Sequence, residues 1–125
     1  MKYLKIIAAV FFTVFSIACQ TQSKEIENIT VTDLKTLLSN GDNIQLVDVR
    51  TPKEWEGGII QNAEKIDVTA TDFEARVLHT LNKEKPVYLY CRSGGRSLIA
   101  AETLVKNGFK VYNVEGGYTE WKQKQ

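Results

Sequence analysis

The sequence predicts an α/β fold, a parallel five-stranded sheet with helices on both faces. Short apolar runs, which favour buried strands, alternate with stretches whose apolar residues recur at helical spacing. Strands separated by helices in this way form parallel sheets that are buried on both faces. With 125 residues, of which 43% are hydrophobic and 25% charged, the chain has the size and composition of one globular domain.

Each strand is predicted from a run of aliphatic and aromatic residues between polar or glycine-containing turns. The five predicted strands are 29–31, 44–49, 65–68, 87–90 and 110–114. The first is expected to be a short edge strand. The fourth, which begins after Pro86, is the most apolar, and proline is tolerated at the first position of a strand.

The helices are predicted from caps and helix-ending residues as well as from spacing. Thr32 is expected to cap the first helix and Gly41 to end it, and Pro52 suits the first turn of a short second helix through Trp55. The stretch 71–74 has capping-box spacing for a third helix that ends near residue 81. The last two helices are predicted at 97–107 and 118–122.

Cys91 follows the fourth strand directly, and Gly94-Gly95 separates it from a helix that begins near Ser97. The apolar residues of this helix at helical spacing are Leu98, Ala101, Leu104 and Val105. The thiol is therefore expected between the end of a strand and the start of a helix.

That position favours a reactive thiolate. The first amides of a helix have no partner within the helix, and glycines let neighbouring N–H groups converge on an anion. Arg92 and Arg96 add positive charge, and all these features lower a thiol pKa. The alternative is a buried, inert cysteine, which is common in strands but does not require two glycines and two arginines beside it.

The segment Cys91-Arg-Ser-Gly-Gly-Arg-Ser97 resembles the active-site loop of rhodanese-like sulfurtransferases. The resemblance extends over about residues 29–122, through Asp48–Trp55, Gly58–Ala63 and Val114–Trp121. It implies that Cys91 is the catalytic nucleophile and carries a persulfide held by loop amides. The residues implied to bind substrate are Arg92, Ser93, Gly94, Gly95, Arg96 and Ser97.

By this resemblance the protein takes a sulfane sulfur from a small anionic donor such as thiosulfate and passes it to a thiol or to cyanide. Arg92 is the residue expected to guide the donor. No cofactor or metal is expected, because the single histidine, His79, lies far in sequence from the loop and cannot form a metal site alone.

Two other functions are alternatives to catalytic sulfur transfer. One is a membrane-tethered sulfur carrier or partner-binding module with little turnover, which an intact cysteine loop does not exclude. The other is a thiol phosphatase or arsenate reductase. Related dual-specificity phosphatases have a loop one residue longer, with arginine six residues after the cysteine, whereas Arg96 is five residues after Cys91.

Asp48, Arg50 and Glu54 are expected to support the site structurally. Asp48 is expected to bond loop amides or orient Arg50, and Arg50 and Glu54 are four residues apart and can pair. Three aromatic residues, Trp55, Tyr118 and Trp121, are expected either to line a pocket or to pack in the core. The chain departs from the family pattern Gly-His-Ile-Pro-Gly-Ala at Ile59, Gln61 and Asn62.

The first 18 residues read as a secretory signal peptide, with a basic start, an apolar stretch and small residues before Cys19. The sequence Ser16-Ile17-Ala18-Cys19 resembles a bacterial lipobox, which implies lipid on the Cys19 thiol; ordinary cleavage after Ala18 is the alternative. Gln20 resembles outer-membrane sorting, so we expect a periplasmic protein anchored to that membrane. Residues 19–28 are then a lipidated tether and 29–125 the folded domain.

Charge and cysteine content narrow the partners. The net charge is +1, and removal of Lys2 and Lys5 with the signal leaves 14 basic and 15 acidic residues. This charge gives no basic patch for binding nucleic acid, so nucleic acid is not an expected partner. We expect a monomer. If Cys19 carries lipid, Cys91 is the only thiol of the domain, which excludes an internal disulfide.

Overall fold

The computed structural model describes residues 25–125, which form five strands and five helices. The strands are β1 Glu27–Ile29, β2 Gln45–Asp48, β3 Glu64–Lys65, β4 Val87–Tyr90 and β5 Val111–Val114. The helices are α1 Val31–Ser39, α2 Pro52–Trp55, α3 Phe73–Thr80, α4 Gly95–Lys106 and α5 Gly117–Gln123. The strands pair in parallel in the order β1-β5-β4-β2-β3, so the predicted α/β fold is confirmed.

The sheet is covered on both faces, as the continuous apolar runs of its strands require. On one face, Val47, Leu89 and Val111 pack against Val77 of α3 and Leu104 of α4. On the other, a second core cluster joins strand residues to α1, with aromatic residues of α5 packed against it. That second cluster consists of Val31, Leu34, Leu46, Ile60, Ala63, Tyr90 and Val114.

The first strand and first helix begin earlier than predicted. β1 starts at Glu27, and Thr30 rather than Thr32 caps α1. The Thr30 hydroxyl accepts from the Asp33 amide, and the Asp33 carboxylate accepts from the Thr30 amide, both at 3.0 Å. Thr30 wins because an acidic residue stands three positions after it, which completes a reciprocal box, whereas Lys35 follows Thr32 at that spacing.

Two further local predictions are wrong. The capping box at 71–74 does not form, since Asp72 caps α3 without a side-chain hydrogen bond. β3 is shorter than the predicted 65–68, although the amides of Ile66 and Val68 still donate to β2 and its continuation, to Asp48 O and Val49 O. The predicted bounds of β4 are confirmed at both ends.

Helix α4 begins at Gly95, two residues before the predicted start, and the rotation of its buried face also differs. Ser97, Ala100, Ala101 and Leu104 are buried, while Leu98 is 42% exposed. The consequence is that a serine, not a leucine, points from the first turn of α4 into the core beside Cys91. Within residues 25–125, no helix is long and apolar enough to cross a membrane.

Candidate active site

Cys91 lies at the carboxyl end of β4, which runs between β5 and β2. It is 1% exposed and belongs to the core cluster beneath α3 and α4. Gly94, with φ of +121°, adopts a conformation that side-chain-bearing residues rarely take. Its N–H donates to Cys91 Sγ at 3.0 Å. The Cys91 loop, residues 91–97, thus curls back on its own thiol, as the Gly-Gly pair predicts.

Ser97 lies in the first turn of α4 and contacts the thiol with its side chain. It is fully buried, and its Oγ is 3.4 Å from Cys91 Sγ. The hydroxyl is also within hydrogen-bond distance of two carbonyl oxygens, Gly94 O at 3.0 Å and Asn113 Oδ1 at 2.6 Å. Ser97 was expected among the loop residues, and the structure brings its side chain as well as its backbone to the sulfur.

The pKa of the Cys91 thiol lies below its usual range. Burial opposes ionisation, and it is the largest single effect. Hydrogen bonds from the Ser97 side chain and from the amides of Ser97, Gly94 and Ser93 act in the opposite direction and together outweigh it. The site therefore favours a negative charge on sulfur despite its burial.

Arg96 and Glu54 form a bidentate ion pair across 42 positions of the chain. Arg96 Nη1 lies 2.5 Å from Glu54 Oε1, and Nη2 lies 2.8 Å from Oε2. The hydrogen bond from Arg96 is the largest influence on Glu54, and the pKa of that carboxyl falls to about 2. The expected pairing of Glu54 with Arg50 is therefore wrong, because the folded loop places a better-oriented guanidinium against Glu54.

The other loop residues face solvent. The side chains of Arg92 and Ser93 are exposed, and so is Gly95. Within the described part of the chain, no carboxylate forms an ion pair with Arg92. Of the two loop arginines, Arg92 is consequently the one whose charge is available to an incoming anion.

Asp48 and Arg50 form a buried pair at the end of β2. Arg50 Nη2 lies 2.8 Å from Asp48 Oδ2, and their residues are 3% and 0% exposed. Arg50 Nη2 also donates to Gly58 O at 2.7 Å, and the guanidinium lies 4.0 Å from the Tyr118 ring centroid. Of the two roles expected for Asp48, the structure places it in the second, because its carboxylate orients Arg50 and accepts from the Arg50 amide.

Helix α5 holds the Cys91 loop from its far side. The amides of Tyr118 and Thr119 donate to Cys91 O at 2.8 Å and to Arg92 O at 3.0 Å. Gly117 makes this approach possible, since a Cβ on it would lie 2.4 Å from Cys91 O. Nothing local in the sequence indicates which backbone Gly117 meets.

The segment that departs from the family pattern forms a tight turn. Ile60 is fully buried, its amide donates to Tyr90 Oη at 2.9 Å, and the Ala63 amide donates to Ile60 O. Gln61 has φ of +43°, a value that proline cannot adopt. The substitution at this position therefore accompanies a backbone conformation different from one that a proline would impose.

Asn113 of β5 was missed. It is 2% exposed, and its side chain joins Ser97 to Asn28 of β1. The signal that could have found it is an asparagine inside the otherwise apolar and aromatic run Val111–Val114, because a buried amide requires polar partners.

The remaining candidate residues are three aromatic residues, His79 and Cys19. Trp55, Tyr118 and Trp121 are half-buried, and Tyr118 is the one that contacts the site residue Arg50. His79 is exposed on α3. No group of three metal-ligating side chains occurs within residues 25–125. Cys19 lies outside the described residues.

Comparisons with known proteins point to one family. The family described as the rhodanese-like domain matches residues 30–124. Thiosulfate sulfurtransferase 18 of Arabidopsis thaliana is 35% identical over 118 residues, which cover 85% of this chain and 85% of that protein. Putative sulfurtransferase YtwF of Bacillus subtilis is 35% identical over 97 residues, covering 78% and 91%.

The fold comparison points the same way. The crystal structure of a rhodanese-like domain protein from Staphylococcus aureus superposes with a TM-score of 0.70 at 38% identity, over 77% of this chain and 91% of that one. The family match over residues 30–124 includes the strand, the loop and the helix around Cys91. The chain therefore belongs to the family of rhodanese-like domains.

Proposed function

We propose that the protein is a sulfurtransferase in which Cys91 carries the transferred sulfur. The family and the relatives named sulfurtransferases support sulfur transfer as the general function. The observation that carries the assignment to Cys91 is the Gly94 amide 3.0 Å from Sγ, at the carboxyl end of a central strand. Ligand sites of open parallel sheets lie at that end, and fixed N–H groups there stabilise an anion.

The proposed reaction has two displacement steps. The Cys91 thiolate attacks the outer sulfur of thiosulfate, the sulfur–sulfur bond of the donor breaks with its electron pair going to sulfite, and a Cys91 persulfide anion remains. An acceptor such as cyanide or a thiolate then attacks the outer persulfide sulfur and restores the Cys91 thiolate. Each step conserves charge, and a thiolate formed in advance requires no general base.

A small anionic donor fits the surroundings of the thiol. Cys91 is 1% exposed, which favours a compact donor over a bulky one. Arg92 is exposed and holds its charge without a carboxylate partner in the described chain, so it is placed to attract such an anion. Arg96, in contrast, is bound by Glu54 and fixes the loop.

Loop length supports sulfur over phosphate as the group held. Arg96 follows Cys91 by five residues, one fewer than in the phosphatase loops that the sequence resembles. A shorter loop brings its amides closer to the cysteine sulfur and leaves less room for a tetrahedral oxyanion. We therefore expect wild type to transfer sulfur faster than it hydrolyses an aryl phosphate.

The direct test is mass spectrometry of the protein after incubation with thiosulfate. We expect one added sulfur atom on Cys91, its loss on addition of cyanide, and no addition in Cys91→Ser. A folded Cys91→Ser protein that still forms thiocyanate would contradict the proposal. Loading without repeated turnover in the presence of excess donor and cyanide would instead favour the sulfur-carrier alternative.

We also propose that the chain is exported and lipid-anchored through Cys19, with thiosulfate or a similar donor met in the periplasm. The support is the basic and apolar stretch 1–18 followed by a lipobox-like Ser16–Cys19. In cells given a labelled fatty acid, we expect label on wild type and on Cys91→Ser but not on Cys19→Ser. Absence of label from wild type, or its persistence in Cys19→Ser, would refute the anchor.

A further inference from the structure

A chain of polar side chains, buried as far as Asn113, leads from the thiol to the edge of the sheet. Cys91 Sγ lies 3.4 Å from Ser97 Oγ, Ser97 Oγ lies 2.6 Å from Asn113 Oδ1, and Asn113 Nδ2 lies 3.1 Å from Asn28 Oδ1. Asn113 is 2% exposed, and burying an amide costs free energy unless its hydrogen bonds are made. Packing alone gives no reason for an amide at this position, where an aliphatic side chain would suit the strand.

Ser97 has one hydroxyl hydrogen to donate and more than one acceptor within reach of it. A serine hydroxyl donates one hydrogen bond, yet three acceptors surround it: Gly94 O, Asn113 Oδ1 and Cys91 Sγ. When Cys91 is a thiol, its S–H can donate to Ser97 Oγ and the hydroxyl can donate to Asn113. When Cys91 is a thiolate, the sulfur can only accept, and the hydroxyl hydrogen has to turn towards it.

Asn113 can follow that change. Its amide carries an acceptor at one end and a donor at the other, and the two ends have nearly the same shape. A half turn of the amide would let Nδ2 donate to Ser97 Oγ, which leaves the hydroxyl hydrogen for the sulfur. Asn28 is exposed and can turn to donate to the oxygen that then faces it. The backbone does not have to move.

We propose that Asn113 is a positioning residue that directs the Ser97 hydroxyl to Cys91 and so favours the negatively charged sulfur. In the charged state Asn113 donates to Ser97 Oγ and Ser97 donates to sulfur, and hydrogen bonds in such a series strengthen each other. Aliphatic residues at position 113 would leave Ser97 Oγ without that donor. The thiolate would lose support, while the thiol state could still use Gly94 O as the acceptor of the hydroxyl.

The other charged groups near the thiol are two ion pairs and one arginine outside any ion pair of the described chain. They are Asp48 with Arg50 on β2 and the segment after it, Glu54 of α2 with Arg96 of α4, and Arg92 of the loop. Helix α3 contributes the uncharged Phe73 and Val77 to the core around Cys91. A substitution of Asn113 leaves all these charged groups in the protein, so its effect on the thiol can be separated from theirs.

The inference rests on the proposed function in that a thiolate at Cys91 is useful for sulfur transfer, but its test requires no sulfur donor. The thiolate is titrated by its ultraviolet absorbance in the full chain. The same titration of the matching Cys91→Ser variant is subtracted, which removes tyrosines and Cys19. We expect Asn113→Val to raise the thiol pKa by about 0.5–1 unit and Ser97→Ala to raise it by about 1–2 units, in line with hydrogen bonds to neutral and to charged groups.

The decisive comparison is the double variant. If Asn113 acts through Ser97, Asn113→Val should add no shift in a Ser97→Ala background, whereas independent effects would add. Asn113→Ala, which cannot clash, is the second variant and should behave as Asn113→Val does. An unchanged or lowered thiol pKa in folded Asn113→Val or Asn113→Ala would overturn the inference. So would an equal shift from Asn113→Val in the wild-type and Ser97→Ala backgrounds. Failure of sulfur loading with these shifts intact would instead refute the proposed function alone.

Discussion

Substitution of Gly117 should displace the Cys91 loop and leave the rest of the fold in place. Its φ is +53°, and a Cβ there would lie 2.4 Å from Cys91 O and 2.8 Å from Arg92 O. These two carbonyls are the acceptors for the first free amides of α5. Gly117→Ala must therefore push α5 and the Cys91 loop apart.

The magnitude follows from two contributions. A left-handed conformation costs an alanine about 1–2 kcal/mol, and forcing atoms into a filled space costs about 1–3 kcal/mol more. Alanine also restricts the unfolded chain, which returns about 0.4–1 kcal/mol. We expect Gly117→Ala to lower the free energy of unfolding by about 2–4 kcal/mol.

Gly41→Ala is the matched control. Gly41 has φ of +75°, but a Cβ on it would meet no atom within 4 Å. It should therefore lose only the conformational part, about 1 kcal/mol. Urea denaturation of both variants measures the difference, and the slope of the transition shows whether unfolding stays two-state.

The displaced loop should also affect chemistry. A shift of the order of an ångström in a reacting group can slow a reaction by about 100-fold, so sulfur loading of Cys91 should fall by about 10- to 100-fold in Gly117→Ala. Gly41→Ala should load sulfur at the wild-type rate. Equal stability losses in the two variants, together with unchanged loading in Gly117→Ala, would refute the reasoning.

Three other substitutions test contacts around the site. Arg96, as the largest cause, and hydrogen bonds from Thr51 lower the Glu54 pKa from 4.5 to about 2. These contacts should therefore stabilise the fold fully above about pH 4.5 and lose that contribution as the pH falls through about 2. Glu54→Gln should lower the free energy of unfolding by about 1 kcal/mol at neutral pH, as suits a partly exposed pair, and should flatten this pH dependence. The control is Glu120→Gln, in an exposed pair with Lys124, which should change the free energy of unfolding by at most a few tenths of a kcal/mol. Equal effects of the two substitutions would contradict the role assigned to the Glu54–Arg96 pair. Gln61→Pro should destabilise the fold by about 3 kcal/mol although it restores the family residue, because proline cannot adopt φ of +43°. Gln61→Gly should be neutral or stabilising. A Gln61→Pro protein as stable as wild type in urea denaturation would show that the turn readily takes another conformation. Arg92→Ala should raise the KM for thiosulfate several-fold and weaken its dependence on ionic strength while leaving kcat nearly unchanged, and an unaltered KM in steady-state kinetics would remove Arg92 from donor binding.

The sequence by itself determined the parts of the site that are close together in the chain. β4 and the turn through Gly94 lie close together in the chain, and the apolar run and the glycines predict them directly. The helical spacing predicts that α4 follows, but not its start at Gly95 or its buried face. The same holds for the parallel sheet, because alternation of strands and helices leaves few other arrangements. The Thr30 cap is also contained in the sequence, since Asp33 completes its capping box, whereas Thr32 lacks an acidic residue at that spacing.

Only the tertiary structure decided the contacts that cross the sheet. The strand order places β5 beside β4, which brings Asn113 to Ser97, and the folded loop turns Arg96 towards Glu54 rather than leaving Glu54 to Arg50. Gly117 meets Cys91 O for the same reason. Spacing along the chain reports which residues share one helix face or strand face. Which faces then meet is set by burial of the whole apolar surface, a property of all the elements together that no local pattern contains.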